Sequence, residues 1–213
     1  MTTLLLLGLA AAAVLAFREY RAWHLGWGSS EQERRRPLPG DGERFRSSFT
    51  ATRAITVAAP PEDVWPWLVQ IGFGRAGWYS YDWLDNLGRP SADGIVPELQ
   101  GLRVGDWVPM SAKVDERTAF RVAALEPNRM LLWTKPDSTW AWVLDPVDGG
   151  SSTRVLSRLR CRQDPTSLPG LAGILLMELG DFPMFRKLLL NLRRRAEARA
   201  TARKARDPDT ASG

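Results

Sequence analysis

Ala59-Pro60-Pro61-Glu62-Asp63-Val64-Trp65-Pro66-Trp67-Leu68-Val69-Gln70-Ile71-Gly72 and, a short step on, Gly77-Trp78-Tyr79-Ser80-Tyr81-Asp82-Trp83 are the stretches whose reading decides the fold of this chain. Pro60 and Pro61 suit a helix entrance, where a missing N–H costs little, and Glu62 and Asp63 complement the positive end of that helix. Val64, Trp65, Leu68, Val69 and Ile71 supply an apolar face, Pro66 keeps the helix short or kinked, and Gly72 is a natural exit. The second run gathers large amphipathic rings. A buried Trp or Tyr needs an apolar neighbour for its ring and a partner for its N–H or O–H, which suits a core and equally a pocket for a greasy ligand with a polar end. Eight of the ten tryptophans fall between positions 65 and 142, so the aromatic bulk is focused in one region.

Upstream, Thr52-Arg53-Ala54-Ile55-Thr56-Val57 reads as a strand stopped by the two prolines. Downstream from position 104, short β-prone runs alternate with turn residues: Val104 to Val108, Ala119 to Leu125, Met130 to Thr134, Trp140 to Leu144 and Thr153 to Cys161. These predict an antiparallel meander. Alternation places Trp140 and Trp142 on one face, and sets Val155, Ser157 and Leu159 opposite Leu156, Arg158 and Arg160. After Pro169-Gly170, residues 171–202 are compatible with helix, with a break expected at Gly180-Asp181-Phe182-Pro183. The order is strand, helix, several strands, then a long final helix.

One cysteine, Cys161, excludes an intrachain disulfide, and with one histidine, His24, the chain has no cysteine- or histidine-rich zinc site. Ser-His-Asp or Cys-His chemistry would have to recruit His24, which is expected to be an exposed interfacial residue. The net charge of +5 is misleading, because residues 186–206 hold nine Lys/Arg against one Glu and leave the remainder net acidic. No motif for DNA or RNA accompanies that basic end, so nucleic acid is not an expected partner. Gly72-Phe73-Gly74-Arg75-Ala76-Gly77 follows a helix, whereas a dinucleotide fingerprint follows a strand, so no cofactor is expected.

The first 17 residues carry no side-chain charge, and as a helix they reach about 25 Å at about 1.5 Å per residue, the short end of a membrane span. The leading flank has no basic residue, while Arg18, Arg21 and Arg34-Arg35-Arg36 follow the apolar run. An uncleaved anchor is the favoured reading over a signal peptide or a helix packed on protein, and the positive-inside tendency then puts the C-terminal bulk in the cytoplasm. The expected division is a membrane-anchor helix over 1–25, a flexible linker over 26–50, a globular domain over 51–202 and a disordered tail over 203–213.

That element order, with the two aromatic stretches, Val104-Gly105-Asp106 and Glu178-Leu179-Gly180-Asp181-Phe182, resembles the SRPBCC superfamily, the group of START lipid-transfer, pollen-allergen-like and polyketide cyclase/dehydrase-like domains, and within it a membrane-tethered bacterial branch. The resemblance covers roughly positions 50 to 200. It implies an α+β helix-grip fold, a curved antiparallel sheet wrapped around a long C-terminal helix with a hydrophobic cavity between them, and it carries over no catalytic residue.

On that architecture Trp78, Tyr79, Tyr81, Trp83, Trp133, Trp140 and Trp142 are the candidate ligand-binding residues, the alternative being that they fill the core. Asp82, Glu98, Asp106, Glu178 and Asp181 are the acid/base candidates, with Asp181 alternatively an N-cap, and Arg160 is a candidate for polarising a carbonyl. The expected function is a membrane-tethered binding or carrier domain for a hydrophobic small molecule or lipid. The alternatives are a cofactor-free cyclase or dehydrase and an interaction module with a vestigial cavity. The basic C-terminal helix is expected to add attraction to an anionic membrane surface.

Overall fold

The computed structural model describes residues 2–42 and 45–206. Helix α1 (Thr2–Leu25) leads into a short α2 (Glu31–Arg35), strand β1 (Phe49–Val57), helix α3 (Pro61–Val69) and a single turn α4 (Asp82–Asp85). Strands β2 (Trp107–Pro109), β3 (Ala119–Glu126), β4 (Met130–Lys135), β5 (Ser138–Val147) and β6 (Ser152–Cys161) follow, then α5 (Leu168–Leu175) and α6 (Asp181–Arg206). The strands form one antiparallel sheet of order β1-β6-β5-β4-β3-β2, so the first strand returns to pair with the last.

Alternation decides the two faces. Ala51, Arg53, Ile55 and Val57 of β1 oppose Leu159, Ser157, Val155 and Thr153 of β6, and Trp140, Trp142 and Leu144 of β5 oppose the same β6 residues from the other side. This face grips α6, whose Phe185, Leu188, Leu189, Leu192, Ala196 and Ala200 recur at helical spacing and are buried with the sheet's aromatic rings. The architecture is the helix-grip arrangement that the resemblance implies.

Helix α3 forms with Pro61 in its first turn and Pro66 within its nine residues, and closes the end of the grip near β5, β6 and α6. Asp63, fully buried at its N-terminus, is held by Arg199 at 3.2 Å and Arg203 at 2.8 Å. Helix α6 therefore runs through Arg203 to Arg206, past the boundary expected at 202, and Arg203 belongs to the packed domain; 207–213 lie outside the described residues.

The expected break at Gly180-Asp181-Phe182-Pro183 does not occur. The chain is helical from Leu168 to Arg206, through one π turn at Leu176–Gly180. Pro183 has no N–H to offer the preceding turn and its ring crowds the carbonyl four residues back; a widened turn just ahead of it relieves both. Asp181 therefore does not cap a new helix. It has helical backbone angles, and its carboxylate takes a bond from Arg53 Nη1 at 2.5 Å.

The described part of the expected linker packs on the sheet's outer face. The outward guanidinium groups of β6 gather it: Arg154 binds Glu33, Arg158 binds Asp41 and the carbonyls of Glu33, Arg34 and Arg36, and Arg160 binds the carbonyls of Gly40 and Asp41. The Arg154 pair holds the Glu33 carboxyl at about 2. Leu38 joins Ala54, Val143 and Leu156 in a second small apolar cluster. The same strap covers β1's free edge, where Ala54 N–H donates to the Trp27 carbonyl at 3.1 Å and the Ser29 hydroxyl to the Thr52 carbonyl at 2.8 Å. Gly28, at φ 72°, permits this approach; a Cβ there would stand 2.1 Å from the Ala54 carbonyl oxygen.

His24, expected to be exposed, is fully buried. The last turn of α1 lies across the start of α6, with Trp23 edge-on to Phe182 at 4.7 Å. His24 Nε2 is 3.3 Å from Glu178 Oε2, and Arg21 Nε donates to Glu178 Oε1 at 2.8 Å. Helix α1 is thus joined to the start of the grip helix by packing and by charge.

Candidate functional site

Between the sheet's gripping face and α6 the structure encloses a cavity of about 230 Å³. Trp78, Phe120 and Trp140 form an aromatic wall, Leu159 and Cys161 line it from β6, and Met184, Phe185 and Leu188 line it from α6. Leu176 and Met177 of the π turn and Met110, just after β2, complete the apolar lining.

The wall is rigid for local reasons. Trp78 stacks on Trp140 at 5.9 Å and 5°, and Trp140 stacks on Trp142 at 5.3 Å and 24°. Trp133 meets Trp140 edge-on at 5.4 Å. Trp140 is further fixed by its Nε1–H, which donates to Ser157 Oγ at 2.8 Å. The 77–79 turn that delivers Trp78 depends on Gly77, at φ 78°, where a Cβ would meet Ser91 Oγ at 2.4 Å. Ser91 Oγ in turn accepts the Tyr79 N–H at 3.0 Å.

Several polar groups reach the cavity, and most are already engaged. Lys135 Nζ lies 3.1 Å from Asp137, Ser138 Oγ donates to Asp137 at 2.9 Å, Ser80 Oγ donates to the Met184 carbonyl at 3.0 Å, and Asp181 pairs with Arg53. Asp85 differs. Both of its carboxylate oxygens are buried without a hydrogen-bond partner of good geometry among the described residues; the Ser80 hydroxyl is close by but donates to Met184. Burial pushes its carboxyl above the ordinary range. Burial also pushes the Cys161 thiol up to about 11, so the cavity's one sulfhydryl is neutral at physiological pH and carries no thiolate nucleophile. Among the described residues no group of three His, Cys, Asp or Glu side chains is placed to hold a metal ion.

Of the seven aromatic candidates, Trp78 and Trp140 line the cavity. Trp133 and Trp142 are fully buried behind that wall. Tyr79 is also buried, with φ 55°; its hydroxyl donates to the Trp67 carbonyl at 3.1 Å and accepts from Gln70 Nε2 at 2.8 Å, and burial raises its pKa to about 12. The Tyr81 ring sits under Lys187 Nζ at 3.9 Å, and Trp83 is 73% exposed.

The carboxylates scatter. Asp82 accepts from the backbone and hydroxyl of Ser91. Asp106 accepts from Arg103 N–H at 2.8 Å, Glu98 is exposed, Glu178 is taken by Arg21 and His24, and Asp181 alone of the five lines the cavity. Arg160 points to the opposite face of the sheet, toward the strap. The lining residues that the sequence did not nominate include Asp85, Met110, Phe120, Leu159, Cys161 and the methionine and apolar residues of 176–188. The helical spacing of Phe185 and Leu188 was a signal for the last of these; Asp85 carried none.

No family model and no curated protein matches this sequence. Similar solved structures include a protein from Mesorhizobium loti, at 22% identity over 68% of this chain and 98% of that one, with a TM-score of 0.39. A Thermobifida fusca protein is 20% identical over 69% of this chain and 92% of its own, with a TM-score of 0.44. A polyketide-cyclase-like protein from Corynebacterium glutamicum is 18% identical over 74% and 92%, with a TM-score of 0.32. The assignment of the helix-grip fold rests on this chain's own strand order and on the helix seated in its sheet.

Proposed function

We propose that this domain binds a hydrophobic small molecule with a neutral polar end in the cavity between the sheet and α6, and that α1 tethers it to a membrane. The observation that carries the reading is an aromatic-walled cavity in which one carboxyl group, Asp85, is buried and unpartnered. A polar group taken from water without a hydrogen bond is unfavourable, and a ligand hydroxyl or carbonyl would supply the missing partner. An anionic head would meet Asp85 with like charge. The tether reading rests on α1, whose 24 residues reach about 36 Å at about 1.5 Å per residue and whose apolar side chains are exposed along its length. Arg18, Arg21 and the Arg34–Arg36 triplet then favour a cytoplasmic domain.

The test uses three ligands that share a tail: decanol, decanoic acid and decylamine, followed by intrinsic tryptophan fluorescence on the full chain in detergent micelles. Decanol is expected to bind about tenfold more tightly than decanoate at neutral pH, a difference of about 1.4 kcal/mol, and Asp85→Asn is expected to narrow it. The same substitution is expected to raise the melting temperature at neutral pH. A raised carboxyl favours the protonated folded state, so stability falls as pH rises from the ordinary Asp range through the higher folded value, and the Asn variant lacks that fall. Equal affinity for decanol and decanoate, unchanged by Asp85→Asn, would remove the assigned ligand class.

A further inference from the structure

The helical segment that leads into α6 carries an apolar surface that the domain does not cover. Leu168, Leu171, Leu175, Leu176 and Leu179 are all exposed, from 45% to 83%; Leu168, Leu171, Leu175 and Leu179 recur at three and four residues along one stripe, and Leu176 borders it on the cavity side. From Pro165 to Met177 there is no charged side chain. A soluble domain seldom leaves so many leucines in water side by side.

Three observations identify what covers the stripe. Its C-terminal end is fastened to α1: Arg21 and His24 hold Glu178, and Trp23 packs against Phe182. Wherever α1 enters a bilayer, the C-terminal end of the stripe is therefore held close to that surface. The helix from Leu168 to Arg206 is long enough to cross a bilayer, but from Phe182 onward it is seated in the sheet; the exposed part, Leu168 to Gly180, is 13 residues and reaches about 20 Å, too short for a hydrocarbon core of about 30 Å. Its inner side carries Met177, and Leu176, at the stripe's border, also lines the cavity.

We propose that α5 and the π turn lie in the membrane interface as a second contact, with the leucine stripe in the acyl region and the cavity wall at Leu176 and Met177 turned toward the bilayer. This rests on the tether reading of α1. It makes the cavity continuous with the lipid phase, so an apolar ligand passes between membrane and pocket beside the π turn without crossing water. The charge of Glu178 stays off the lipid face because Arg21 and His24 hold it.

The test places a nitroxide label at Leu175→Cys and, in a separate variant, at Leu7→Cys, with the full chain in mixed phosphatidylcholine–phosphatidylglycerol vesicles. Cys161 is buried, and the parent chain serves as the labelling control. Both labels are expected to be more accessible to oxygen than to a water-soluble nickel chelate. A Leu7 label in the bilayer with a Leu175 label in water overturns this inference and leaves the tether standing. A Leu7 label in water overturns the tether reading, and this inference with it. Dipolar broadening between Leu175 labels that disappears on dilution with unlabelled chain would show a second copy on the stripe and also overturn the proposal.

Discussion

Asp181→Asn is expected to destabilise the folded domain by about 3–5 kcal/mol, the usual consequence of removing one partner from a buried ion pair. Arg53 stands on β1 facing the grip, and its side chain is 2% exposed. Its guanidinium lies over the Phe182 and Phe185 rings at 5.3 and 5.1 Å, Nε donates to the His24 carbonyl at 2.8 Å, and Nη1 donates to Asp181. Among the described residues Nη2 has no hydrogen-bond partner, so Asp181 is the one carboxylate bonded to this guanidinium. The converse variant, Arg53→Met, is expected to be milder. It leaves a carboxylate that borders the cavity, where water or protonation relieves the charge, and it keeps apolar bulk against the two phenylalanines. Replacing both partners, Arg53→Met with Asp181→Leu, is expected to recover most of the loss. Denaturant unfolding of the full chain in detergent micelles measures all three. An Asp181→Asn loss below about 1 kcal/mol would mean that the guanidinium reaches solvent, contrary to the packing described.

Trp142→Ala is expected to cost about 3–5 kcal/mol, as large aromatic truncations in a core do. Its ring is fully buried between Trp140, Trp133 and Phe185, away from the cavity lining. The chemical class of any bound molecule is expected to stay the same. Trp78→Ala separates packing from pocket, because Trp78 lines the cavity and its removal extends the void. That variant is expected to lose less stability and to accept a longer tail, so that decanol gives way to a longer alkanol in the fluorescence titration. If both variants change ligand preference equally, the division between wall and supporting core is wrong.

The strand pattern was legible because a half-buried sheet repeats every two residues. Trp140 and Trp142 share one face, and Val155, Ser157 and Leu159 one face, as alternation predicts; strand pairing then places both sets on the gripping face. The Pro60–Gly72 stretch forms its helix with Pro66 inside, because the apolar face of Val64, Trp67 and Leu68 outweighs one missing donor. Three features were not legible: two depend on partners distant in sequence, and the third on how a helix accommodates one proline locally. The 26–42 strap has linker composition and is ordered by arginines of β6 more than a hundred positions away. His24 is buried by a carboxylate near the start of α6. Gly180 and Pro183 signal a break in isolation, and a π turn absorbs them. Aromatic composition pointed to the region of the cavity, and only coordinates separate Trp78 and Trp140 on its wall from Trp133, Trp142 and Tyr79 in the packing behind it.

The central claim, that the grip encloses a working pocket for a neutral amphiphile, is tested most directly by native mass spectrometry of the full chain released from detergent micelles, with solvent extraction of whatever it carries. A passenger of one-to-one stoichiometry, apolar with an uncharged polar end, is expected. A chain that emerges empty, and that gains no thermal stability from added decanol, would contradict it.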